Sequence, residues 1–85
     1  MPSEGMLNDA GYKLLATGKK DDAIKVFQTN VRLNPLSFNV YDSLGEAYIE
    51  AGNKADAVVN YRKSLELNPD NANAKEMLKK IESIN

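Results

Sequence analysis

Neither cysteine nor histidine occurs in these 85 residues. Their absence excludes disulfides, thiolate nucleophiles, imidazole bases and nearly every transition-metal site. Ser3, Ser37, Ser43, Ser64 and Ser83 therefore have no imidazole to activate them, and no glycine-rich loop offers a phosphate cradle. An excess of either charge is also missing: eleven basic and twelve acidic residues leave a formal charge of −1. That balance lacks the electropositive footprint a nucleic-acid partner demands. No apolar run approaches the roughly 20 residues needed to span a bilayer, and the opening MPSEGMLNDAGYKLL lacks the charged head and apolar stretch of a secretory leader. The expectation is a soluble chain, cytoplasmic by default, with no nucleic-acid or membrane partner, no cofactor, no metal and no catalytic centre.

A hydrophobic fraction of 42% with 27% charged residues lies well inside the range of folded domains, so a fold is expected. Its organising feature is an internal period. A shift of 34 brings Gly11 onto Gly45, Gly18 onto Gly52, Lys20 onto Lys54, Asp22 onto Asp56 and Ala23 onto Ala57. The same shift aligns Leu33, Asn34, Pro35 and Asn39 with Leu67, Asn68, Pro69 and Asn73. Identities concentrated on glycine, alanine and proline signify repeated backbone geometry.

Within each unit the spacing is helical, as in Tyr41, Leu44, Ala47, Tyr48 and Ala51, and no sustained two-residue alternation marks a strand. Gly18 and Gly52 stand where a first helix ends and the chain reverses; Asn34-Pro35 and Asn68-Pro69 stop a second. Five helices follow, at 4–17, 20–33, 38–51, 54–67 and 72–84. The Asp21-Asp22 pair opens the second helix, where carboxylates favour the positive end of the dipole. The last helix gathers Ala74, Met77, Leu78, Ile81 and Ile84 on one stripe, as suits a cap closing an open array.

The second unit, FNVYDSLGEAYIEAGNKADAVVNYRKSLELNPDN, closely resembles the 34-residue tetratricopeptide repeat through Tyr41, Leu44-Gly45, Tyr48, Gly52, Ala57, Tyr61, Ser64 and Pro69. The first is a weaker copy that keeps Gly11, Gly18, Ala23, Phe27 and Pro35. Asn30 falls where that family packs a small alanine between helices, which predicts a less tightly closed first hairpin. The resemblance implies an all-α superhelix, a solenoid of two helix-turn-helix repeats and a capping helix. It forms a single domain over 1–85, with repeats at 4–37 and 38–71 and the cap at 72–85.

It implies, too, a protein-interaction scaffold whose first helices line a concave face that holds a short peptide or partner segment. On this chain that face would be drawn from Asn8, Tyr12, Leu15 and Ala16, then Asn39, Asp42, Glu46, Ile49 and Glu50, then Asn73, Glu76 and Lys80. Some members clamp acidic chaperone tails with basic residues; Asn8, Tyr12 and Ser43 do not reproduce that clamp. The alternative is an appended or self-associating module of a larger bacterial protein, a weak homo-oligomer stacking through Met6, Leu7 and Leu14 or meeting a neighbour at Val59.

One feature stands without the resemblance. Asp42, Glu46 and Glu50 recur at i, i+4 and i+8, stacking three carboxylates on one helix face. Uncompensated repulsion there invites a Lys- or Arg-bearing partner, with Tyr12, Leu15 and Ile49 supplying apolar contact; Lys80 from the cap helix is the internal group that could neutralise the stripe instead.

Overall fold

The 34-residue period reappears in the computed structural model, which describes residues 2–83, as two antiparallel helical hairpins and a fifth helix. The helices are α1 (Glu4–Ala16), α2 (Lys20–Leu33), α3 (Phe38–Glu50), α4 (Lys54–Leu67) and α5 (Ala72–Ser83). Each packs on the next in order, and α1 also touches α3. Ile84, expected on the cap-helix stripe, lies outside the described residues; of the rest, Ala74 and Ile81 are buried and Met77 and Leu78 pack beside them.

The reversals are built identically. Gly18 and Gly52 both take φ +79°, a left-handed conformation that side chains other than glycine rarely adopt. Lys19 N–H returns to the Leu14 carbonyl and Gly18 N–H to Leu15; Asn53 and Gly52 repeat this onto Tyr48 and Ile49. These paired bonds satisfy carbonyls left over at the helix end, so α1 and α3 each finish one residue short of the sequence expectation.

Core formation follows from two close approaches. A Cβ on Gly11 would lie 2.3 Å from Phe27 Cε1, and one on Gly45 would lie 3.0 Å from Tyr61 Cε2. Each aromatic ring therefore lies against bare backbone of the facing helix. Phe27 joins Ala23, Leu44 and Ala47 in one cluster, and Tyr61 joins Ala57, Ala74 and Ile81 in the other. Tyr48 packs against both.

The expected loosening at Asn30 is corrected. Asn30 is completely buried; its Nδ2 donates to the Glu4 carbonyl at 3.0 Å, while its Oδ1 accepts from Asn34 Nδ2 at 2.8 Å. In the second hairpin Ser64 Oγ donates to the Phe38 carbonyl at 2.9 Å and accepts from Asn71 Nδ2 at 2.8 Å. Residues 30 and 64, like 4 and 38, are one period apart, so a polar latch closes both hairpins at the same place. A buried amide would be costly unpaired, and here both its ends are bonded.

Candidate functional site

Side chains of α1 and of α5 both bond to α3, in two separate sets. Ser43, buried on α3, donates to Asn8 Oδ1 at 2.6 Å. The Tyr12 hydroxyl lies 3.3 Å from Ser43 Oγ and donates to Glu46 Oε1 at 3.1 Å. Asn73 at the start of α5 donates to both carboxylate oxygens of Asp42, each at 3.1 Å. The Tyr12 ring in turn meets Phe27 edge-on, with centroids 5.2 Å apart and planes inclined at 68°, so the α1 set stands directly on the first core cluster.

Electrostatics on this face are those of carboxylates served only by neutral donors. Burial raises the Asp42 pKa against the pull of the Asn73 and Asn71 amides. Burial also pushes the Tyr12 phenol up to about 12; its contact with Ser43 opposes the rise, and the charges of Glu46 and Asp42 add to it. The two ion pairs among the described residues lie elsewhere, Arg62 with Glu82 and Lys80 with Glu76. Lys80 thus pairs along its own helix, at 3.6 Å, and neutralises none of the stripe.

A raised carboxylate pKa has a definite sign in the stability. The folded state holds the Asp42 proton more firmly than the unfolded chain does, so ionisation removes stability as pH rises through the carboxylate range. Asp42→Asn keeps an acceptor for Asn73 and deletes that loss. Its melting temperature at neutral pH should exceed the parent's by roughly 2 °C, a small figure because the group is partly solvated. The difference should vanish at low pH; circular-dichroism melts between about pH 3 and 7 check it.

The remaining expected site residues divide by burial. Leu15 and Ile49 are partly buried and pack against the first and second core clusters respectively, leaving only part of each for contact. Asn39 and Glu50 are exposed. Ser43, named with Asn8 and Tyr12 at the clamp positions, is buried and bonded to both of them.

Among the described residues no group of three or more acidic side chains is arranged to hold a metal ion, and no helix is long and apolar enough to cross a membrane. No curated protein matches the chain. Residues 38–71 match a family model described as tetratricopeptide repeat. Proteins of that family are generally protein-interaction modules and typically non-catalytic scaffolds. The matched segment coincides with the second hairpin and its loop, and the first hairpin repeats its glycine-on-aromatic packing, its left-handed turn and its latch. The match over the second hairpin and the five helices in that order together support a tetratricopeptide-type helical repeat.

Proposed function

We propose that the α1/α3/α5 face holds a short basic segment of a partner protein, and that the chain acts as a scaffold without chemistry of its own. The observation that carries this reading is the pair Asp42 and Glu46: hydrogen-bonded only to neutral groups, with no cation of the described residues paired to either. Two carboxylates one helical turn apart repel each other, and a partner's positive charge relieves that. Tyr12 and the exposed parts of Leu15 and Ile49 supply apolar contact alongside, and Asn8, Asn39 and Glu50 extend the face toward its ends.

Three helices spaced about 8–10 Å apart span roughly 20 Å, enough for about six extended residues. Such a footprint supports micromolar affinity or weaker. A second reading, a self-associating or appended module, draws on exposed apolar side chains: Met6 and Val59 are each 65% exposed and Leu36 83%.

An amide-resolved NMR titration with one Lys/Arg-rich and one acid-rich peptide pool, at low and moderate salt, separates the two. The expected result is shifts concentrated at Tyr12, Asp42, Glu46, Ile49 and Glu50 with the basic pool alone, shrinking as salt screens the charges. No localised shift with either pool would remove the basic-segment reading and leave the appended module.

A further inference from the structure

The two hairpins repeat one unit, so the surface that α3 packs against the first hairpin has an equivalent on α1, one period earlier. Val40, Ser43, Leu44 and Ala47 are all 5% exposed or less. Leu44 and Ala47 lie in the first core cluster with Ala23 and Phe27 of α2, and Ser43 bonds to Asn8 and Tyr12 of α1. The same positions 34 residues back hold Met6, Asp9, Ala10 and Lys13, a stripe of i, i+3, i+4 and i+7 spacing along one helix face. All four are exposed, Met6 by 65%. The partly buried Leu7 and Leu14 flank them. The two ion pairs among the described residues involve neither Asp9 nor Lys13.

The two charges decide what fits this stripe. A helix laid here as α2 lies on α3 would enclose Lys13 at the place that Ala47 fills with no exposure, stranding an ammonium group against apolar side chains. A further hairpin stacked in the manner of the first is therefore disfavoured. A second copy of the stripe itself, run antiparallel, answers both charges at once. Asp9 and Lys13 stand two residues to either side of residue 11, so a two-fold axis there brings Lys13 of each helix opposite Asp9 of the other, and the pair is made twice. A parallel pairing in register would set like charges together instead. Ala10, beside the axis, lets the two backbones approach, and Met6 of each copy lies toward the last turn of the other α1. We propose that two copies of this chain pair through Met6, Asp9, Ala10 and Lys13, antiparallel about a two-fold axis. A helix of 13 residues is roughly 20 Å long, and a contact of that length falls below the ~1,200 Å² of stable complexes, so the dimer has a Kd on the order of 0.1–1 mM. The inference does not rest on the basic-segment reading; it narrows the self-association reading from exposed apolar groups in general to one stripe of α1.

The test is sedimentation equilibrium of the intact chain at concentrations from about 0.05 to 1 mM, at low and moderate salt. The mean mass should climb toward that of two chains at low salt and fall back as salt screens the charges. Asp9→Lys leaves both charged positions of the stripe positive and Lys13→Asp leaves both negative, on exposed side chains that the fold does not use, so each variant should keep the parent's circular-dichroism spectrum. Alone, each should associate about fivefold to tenfold more weakly than the parent; an equimolar mixture should recover the parent's association, because each copy then meets the opposite sign. Met6→Ser should also weaken the dimer, whereas Val59→Ser and Leu36→Ser, at the other strongly exposed apolar side chains, should leave it unchanged. A mixture no better than its two components would overturn the antiparallel pairing. Association that survives both charge variants but falls with Val59→Ser or Leu36→Ser would overturn the stripe and keep self-association through another surface. The mass of one chain throughout the range would overturn both.

Discussion

Phe27→Ala should remove most of the stability of this chain. A domain of this size is held by roughly 4–13 kcal/mol in total, and emptying the space of a fully buried phenylalanine takes about 3–5 kcal/mol from it. Phe27 is completely enclosed, lies against Gly11, and supports Tyr12 through an edge-on contact, so no neighbour is free to collapse into the space. The melting temperature should fall by roughly 15 °C or more, with a broadened transition and loss of the Tyr12 amide from its native position. Val59→Ala, on an exposed residue, should leave the melt unchanged. Urea denaturation of the two variants checks this; a loss below about 1 kcal/mol at Phe27 would mean that the first cluster contributes far less than its burial implies.

The second large effect separates two glycines that look interchangeable in the sequence. Gly11→Ala places a methyl group 2.3 Å from Phe27 Cε1, 2.4 Å from Cζ and 2.7 Å from Cδ1, an overlap that only movement of a fully buried ring can relieve. Gly45→Ala meets Tyr61 at 3.0–3.1 Å, which a shift of a few tenths of an ångström removes. Both substitutions gain about 1 kcal/mol of helix propensity. Against that, overpacking at Gly11 should sit at or above the upper end of the usual 1–3 kcal/mol, for a net loss of roughly 2 kcal/mol and a melting temperature lower by about 8–16 °C. At Gly45 the two effects nearly cancel, within about 1 kcal/mol of the parent. Trimming the ring in the pair Gly11→Ala with Phe27→Leu should recover part of the loss, a coupling visible in a double-mutant cycle.

That difference between the glycines also marks how far the sequence could be read. Repeat length, helix order and the reversals were legible because Gly18 and Gly52 admit a left-handed turn closed to other residues, and Pro35 and Pro69 cannot continue a helix, whatever surrounds them. The role of Asn30 was not. An amide at a position where an alanine is usual reads as an intrusion until the carbonyl of Glu4, 26 residues away, is seen to face it. The acidic stripe was visible from spacing on one helix, whereas its partners come from elsewhere: Tyr12 lies 34 residues from Glu46 and Asn73 lies 31 from Asp42. Lys80 misled for the same reason in reverse, since its nearest carboxylate is four residues back on its own helix. Helical periodicity tells which residues share a face; which faces touch is decided by packing.

The shared position of Tyr48 has a consequence for how the molecule comes apart. Its ring packs against both clusters, and its hydroxyl accepts a bond from Gln28 on α2 at 3.0 Å, so it joins the territory of the first hairpin to that of the second. Each hairpin already carries its own latch and its own ring-on-glycine contact. In a linear array of such units, overall cooperativity is set by the nearest-neighbour coupling across each junction. Tyr48 shares that coupling with Leu44 and Ala47, which α3 buries in the first cluster, so removing its ring should loosen the junction and let the two hairpins open more independently.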